Sequence, residues 1–137
     1  MTVNLIAAVG KRGQIGRDGF LPWAEPHDLR MFRDITIGGV VIAGYRTWET
    51  VQVLPRRELV CWQREDPAKF LALLERQFLG WPFWIAGGAA TYRAFAPFVD
   101  GLKLISAIDY DNDPADDSRH VFFPFDAYGI RWGGERG

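Results

Sequence analysis

Trp84-Ile85-Ala86-Gly87-Gly88-Ala89-Ala90 passes from an apolar run through two glycines into helix-compatible residues, and Ile42-Ala43-Gly44-Tyr45-Arg46-Thr47 repeats the plan with one glycine. Each stretch reads as a strand that ends at glycine and hands over to a helix. Such a junction places free backbone N–H groups and a positive dipole end at the carboxyl end of a strand. A phosphate is held well there, and glycine lets it approach closely. Glycine at a strand-to-helix turn is also ordinary steric relief, so one junction alone says little. Two of them could clamp a pyrophosphate, as a dinucleotide requires.

Outward from these junctions the chain keeps the same alternation. Apolar runs at residues 3–9, 40–43, 58–62, 83–86 and 102–108 predict buried strands, and 121–125 a short extended piece. Helices are predicted over 27–35, 47–51, 68–78 and 89–95, the third capped by Asp66 with Pro67 in its first turn. Residues 10–23, with Gly10, Gly13, Gly16, Gly19 and Pro22, read as a long glycine-rich loop of the kind that is often functional. The expected fold is α/β, with a mostly parallel central sheet covered on both faces by helices.

Composition narrows the function. The chain has 137 residues, 16 Lys plus Arg and 17 Asp plus Glu, a net charge of −1. That size predicts a single domain over 1–137. An apolar fraction of 48% is too high for a disordered chain. The balanced charge argues against nucleic-acid binding, and no apolar run is long enough to cross a membrane. The amino-terminal residues do not read as a signal peptide, so a cytoplasmic location is expected. Cys61 is the only cysteine, which rules out an intramolecular disulfide and a cysteine-rich zinc site, and it reads as a buried thiol in a strand. No G-x-S-x-G, Walker or G-x-G-x-x-G motif is present, and no metal site is expected.

A few residues carry possible chemistry. Asp28 stands one turn before Phe32. It either serves the helix dipole or is a carboxylate in an apolar cleft, where a ligand with two adjacent N–H donors would satisfy it. Arg57 is either a surface arginine or a fork for a substrate carboxylate. The acidic run Asp109, Asp111, Asp113, Asp116 and Asp117 lacks EF-hand spacing and reads as a solvated loop. His27 and His120 have no metal-ligand spacing and read as exposed polar residues. The six tryptophans read as core and rim.

Taken in order, the motifs resemble dihydrofolate reductase. They are Leu5-Ile6-Ala7-Ala8, Ile15-Gly16 with Phe20-Leu21-Pro22-Trp23, and Pro26-x-Asp28-Leu29 with Phe32. They continue as Gly44-x-Arg46-Thr47-Trp48-Glu49-Thr50, Leu54-Pro55-x-Arg57, Ile85-Ala86-Gly87-Gly88 with Tyr92, and Phe123-Pro124. The resemblance implies reduction of 7,8-dihydrofolate by hydride from NADPH, with protonation of pterin N5. Asp28 would hold the pterin, Trp23 would order a water beside it, and Leu21 and Ser106 would complete the catalytic group. Ile6, Ala7, Ala8, Leu29, Phe32, Val51 and Leu54 would line the substrate pocket, and Arg57 would take the glutamate carboxylate. The cofactor would lie against Ala8, Ile15, Gly16, Gly44, Tyr45, Arg46, Thr47, Arg64, Gly87, Gly88, Ala89, Ala90, Thr91 and Tyr92. The Gly87–Gly88 bond would be cis.

The departures from that pattern are local. Tyr45 stands where the family often has an arginine for the NADPH 2′-phosphate, Ala90 stands where another often lies in the helix after the second glycine turn, and Gln63-Arg64 replaces small hydroxyl residues. Arg46 and Arg64 are left to compensate, and NADH stays open. The segment from Arg64 to Gly87 is short, and after Phe123-Pro124 there is room for one short strand, such as 128–132. The fifth strand would then be an exposed edge, giving a monomer or a weak dimer through it. Two other readings remain open: a related pterin or pyrimidine reductase, and a non-catalytic homologue that binds a nucleotide or a partner.

Overall fold

A computed structural model of the chain describes residues 2–18, 22–23, 26–51 and 55–132, with the side chains of 26–29 and 49–51 outside that description. Its strands are β1 (Val3–Val9), β2 (Gln14–Arg17), β3 (Val40–Gly44), β4 (Glu58–Trp62), β5 (Phe83–Ile85), β6 (Lys103–Ala107) and β7 (His120–Phe122). Its helices are α1 (Pro26–Thr36), α2 (Tyr45–Val51), α3 (Pro67–Gln77) and α4 (Ala89–Phe95). Five strands form a parallel sheet in the order β4-β3-β5-β1-β6. The α/β reading with a parallel sheet is borne out, and β6 lies at an edge.

The period of two along each strand divides the core into two layers. Val3, Leu5, Ala7, Val9, Val40, Ile42, Phe83 and Ile85 face one side, where Phe70, Leu71 and Leu74 of α3 and Tyr92 and Phe95 of α4 cover them. Ile6, Val41 and Trp84 face the other, against Phe32 and Ile35 of α1 with Leu59 and Leu104. Continuously apolar strands are what a sheet buried on both faces requires. Asp66 caps α3 by accepting from Lys69 N–H at 3.0 Å, and Pro67 occupies its first turn, both as the sequence predicts.

The structure corrects several expectations. Residues 10–23 are not loop throughout: Gln14–Arg17 forms β2, which pairs antiparallel with β7. Alternation is hidden there because Gly16 carries no side chain and the ribbon is held by polar contacts. No strand forms over 128–132. Gly129 turns the chain in a left-handed conformation at φ 65°, and the aromatic rings stack instead, Phe123 on Tyr128 and Phe125 on Trp132. Cys61 lies on edge strand β4 and is only partly buried. His120 is buried rather than exposed, with Nε2 2.7 Å from the Tyr110 hydroxyl and Nδ1 2.9 Å from the Asp116 carbonyl. The acidic run is not simply solvated. It bends through a 3-10 turn at Pro114–Arg119, and Asp111, Asp116 and Asp117 pair with Arg12 and Arg17 of the β1–β2 region.

Candidate active site

The two glycine junctions converge because β3 and β5 are neighbours in the sheet. Gly44 N–H donates to the Gly87 carbonyl at 2.8 Å, so the turn that opens α2 touches the turn that opens α4. The Gly87–Gly88 peptide bond is cis, and Gly87 has φ 121°, a conformation that favours glycine. A side chain on Gly87 would meet Thr47 Oγ1 at 3.3 Å and the Tyr92 hydroxyl at 3.5 Å. Among the described residues, one on Gly88 would meet only Thr47 Oγ1, at 3.9 Å, so this face of the turn opens onto space that a Cβ would fill. That bare backbone, walled by Thr47, is a cradle into which a diphosphate fits.

Tyr92 ties the turn to the sheet. β5 ends at Ile85, and the fully buried Tyr92 hydroxyl donates to the Ile6 carbonyl at 2.9 Å. Burial, reinforced by Tyr128, pushes the Tyr92 phenol far above its ordinary value, so it stays a neutral donor. Tyr128 in turn donates to the Tyr92 carbonyl at 2.6 Å.

The expected substrate side is built on β1 and α1. Ile6 is buried on the α1 face beside Phe32, and Ala8, two residues on, shares that face. Ser106 on β6 pairs in register with Ala8. Asp28 and Leu29 lie in the first turns of α1, but their side chains are outside the description, as is that of Val51. Leu21 and Leu54 are themselves outside the described residues. Trp23 packs against Tyr110 with ring centroids 5.5 Å apart.

Arg57 sits at the far end of α1. Its Nε donates to the Pro55 carbonyl at 2.8 Å, and Nη1 donates to the Arg33 carbonyl and to Thr36 Oγ1, both at 2.6 Å. Thr36 Oγ1 is itself buried and donates to the Phe32 carbonyl at 2.8 Å. Three fixed bonds hold the guanidinium, while Nη2 has no acceptor among the described residues. Burial, then the charge of Arg33, lowers its pKa, and it remains a cation at neutral pH. From Asp28 to Thr36, α1 rises about 12 Å, which sets the span between the two expected ligand contacts.

Tyr45 is exposed and its ring lies 6.2 Å from Trp48. Gly44 pairs with Trp62, so Arg64, exposed with φ 73°, follows two residues beyond the strand beside that turn. Arg46 is exposed at the start of α2, and Ala90 is exposed in the first turn of α4. Ile15 and Gly16 are partly buried on β2, with Ile15 packed against the larger core layer. The residues that sequence reasoning passed over are Thr36, which orients Arg57, and Arg12, Gln14 and Tyr110, which anchor β2. Thr36 carried no signal beyond its place at the end of an amphipathic helix.

Comparison with known proteins agrees with this geometry. The family model described as dihydrofolate reductase matches residues 2–125. A dihydrofolate reductase of Mycobacterium tuberculosis is 34% identical over 111 residues, covering 74% of this chain and 69% of the relative. One from Buchnera aphidicola is 30% identical over 122 residues, covering 81% and 74%. A dihydromethanopterin reductase of Methylorubrum extorquens is 29% identical over 120 residues, covering 81% of this chain and 85% of the relative.

Proposed function

The chain belongs to the dihydrofolate reductase family, and from that premise we propose that it reduces 7,8-dihydrofolate to tetrahydrofolate. When bound, NADPH supplies the hydride, to the carbon of the C=N bond whose nitrogen is N5. The observation that carries this reading is the contact of the two glycine turns, Gly44 N–H on the Gly87 carbonyl at 2.8 Å. Gly44, Thr47, Gly87, Gly88 and Ala89 would hold the diphosphate, with Thr91 and Tyr92 bracing the turn from behind. Tyr45, Arg46, Arg64 and Ala90 would form the adenosine side. Ala8, Ile15 and Gly16 would contact the nicotinamide end.

The substrate would lie along α1. Asp28 accepts the two adjacent N–H groups of the pterin and supports proton delivery to N5, with Ser106 behind it and Trp23 ordering a water. Ile6, Ala7, Leu29, Phe32, Val51 and Leu54 exclude bulk water, with Leu21 over the ring. The cationic Arg57 fork, aimed by Thr36, takes the glutamate carboxylate. We place the reaction in the cytoplasm, and the chain works as a monomer or as a weak dimer through the β6 edge, a choice light scattering makes. Among the described residues no helix is long and apolar enough to cross a membrane.

Loss of NADPH absorbance with dihydrofolate present tests the proposal. Turnover by the native chain that Asp28→Ala abolishes is expected; full activity in that variant would sink the assignment of Asp28. A second reading has one observation in its favour. The dihydromethanopterin reductase is matched over more of its length than the M. tuberculosis enzyme, 85% against 69%. Turnover of dihydromethanopterin in preference to dihydrofolate would favour it, whereas dependence on Arg57 and a substrate carboxylate favours folate.

A further inference from the structure

The outer side of β6 is bare. The sheet ends there, with β1 on one side and no strand on the other among the described residues. Leu5 N–H donates to the Leu102 carbonyl at 2.8 Å, and Ile108 N–H to the Val9 carbonyl at 2.7 Å. β6 runs in register with β1 between those bonds, so Leu104 and Ser106 also turn their backbone groups toward β1. Lys103, Ile105 and Ala107 therefore aim N–H and C=O outward, where nothing among the described residues meets them. The edge carries no proline and no bulge to guard it. The opposite edge, β4, offers less. Glu58 N–H is spent on the Gly39 carbonyl, so Leu59 and Cys61 are the residues of that strand that face outward. Just beyond them, Gln63 N–H is taken by Glu65 Oε1 at 2.6 Å.

We propose that a second copy of this chain covers the β6 edge, the two strands pairing antiparallel about a two-fold axis with Ile105 opposite the partner's Ile105. In this register every outward group is used. Lys103 faces the partner's Ala107, and each such pair exchanges two backbone bonds. A shift by two residues either way leaves Lys103 or Ala107 of each copy opposite a residue outside the strand. Charge agrees with the register. Lys103 is exposed and has no ion pair among the described residues. The partner's Asp109 lies diagonal to it, with a side chain 94% exposed and paired at 3.2 Å with Lys11 of its own copy. Each end of the joint thus sets one carboxylate between two lysines. The axis stands normal to the sheet, so α1 of both copies lies on the same side. Leu104 packs on that side with Ile6 and Trp84, and Ser106, two residues on, shares it. The partner's Leu104 then stands opposite Ser106 with Cα atoms about 4.5 Å apart. Its role rests on the reductase reading, which places Ser106 behind Asp28: the partner's side chain shuts water out of that flank of the substrate pocket.

Sedimentation velocity of the full chain over a roughly hundredfold range of concentration tests the pairing. The mass should rise from that of one chain to that of two. Ala107→Pro removes an outward N–H without touching a bond to β1, and Lys103→Glu sets carboxylate against carboxylate. Each should raise the dissociation constant roughly tenfold. Oxidative cross-linking reads the register. In a Cys61→Ser background, Leu104→Cys and Ser106→Cys chains should join when mixed, while neither joins alone. The mass of one chain at every concentration overturns the proposal, as does native dimerisation in both edge variants. Cross-linking of either cysteine chain alone, and not of the mixture, overturns the register. Should the edge variants not fold, the cross-link decides. For the pocket, kcat/KM for dihydrofolate should follow the dimer fraction and fall several-fold in Ala107→Pro. A dimer whose activity per chain ignores dilution overturns the part given to the partner's Leu104. Failure of the native chain to turn over dihydrofolate would instead overturn the reductase reading and leave the sedimentation result standing.

Discussion

Replacing Gly44 by alanine probes the contact on which the cofactor reading depends. A Cβ at residue 44 would stand 2.9 Å from Thr91 Oγ1 and 3.8 Å from both the Gly87 carbonyl oxygen and the Gly88 nitrogen. Ordinary contact starts near 3.4 Å, so Thr91 must retreat by about 0.5 Å. Thr91 is buried in the first turn of α4, and a β-branched side chain has few rotamers to retreat into. Some of the shift therefore passes to the backbone of the Gly87–Gly88 turn. Overpacking of this kind costs about 1–3 kcal/mol, read as a lower midpoint in urea. Calorimetric titration should show NADPH bound roughly tenfold more weakly, equal to about 1.4 kcal/mol. Thr91→Ala in the same chain removes the atom that is struck. The double variant should recover part of both losses, with a coupling of about 1 kcal/mol or more. Native stability and native NADPH affinity in Gly44→Ala, or strictly additive effects in the pair, would refute the reasoning.

Three further outcomes follow from other contacts. Tyr92→Phe leaves the buried Ile6 carbonyl without its 2.9 Å partner and should cost about 1–3 kcal/mol in urea unfolding; a change under about 0.5 kcal/mol would contradict that role. Arg57→Lys cannot keep three acceptors and still offer a second nitrogen, so the KM for dihydrofolate should rise roughly tenfold with kcat little altered; an unchanged KM argues against carboxylate binding. Hydrogen bonds from Arg12 and Asn112 hold Asp117 at about 2, and the Arg119 hydrogen bond lowers Asp18 in the same direction. Folded values below the unfolded 3.8 mean that this stabilisation is complete above about pH 4 and is lost as pH falls through about 2. Asp117→Asn should flatten that acid limb in urea midpoints taken from pH 5 to 2, and an unaltered limb would remove Asp117 from it.

The parallel sheet was legible because burial on both faces leaves little but apolar residues, and helix starts such as Asp66-Pro67 announce themselves. The glycine junctions were legible for a related reason. Backbone that must approach other backbone admits almost nothing larger, as Gly44 against Thr91 shows. The β2–β7 ribbon was not, because its stability comes from Arg12, Gln14 and three aspartates distant in sequence, and no local pattern encodes a charge pair about 100 residues apart. His120 misled for the same reason: its partners, the Tyr110 hydroxyl and the Asp116 carbonyl, make burial tolerable. The turn at Gly129 sends the chain after Phe123-Pro124 into aromatic stacking in place of the strand expected over 128–132.

The place of β1 in the sheet has a consequence for how the chain acquires its structure. Its neighbours are β5 and β6, with Val3 paired to Phe83 and Leu5 to Lys103. β1 leaves the ribosome before either neighbour and must wait for partners made 80 and 98 residues later. Until then its seven residues, almost all of them destined for the interior, have nothing to pair with. Such long-range closure slows folding and exposes the nascent segment to aggregation. The order of synthesis thus makes β1 a segment for a chaperone to shield until β5 and β6 are made.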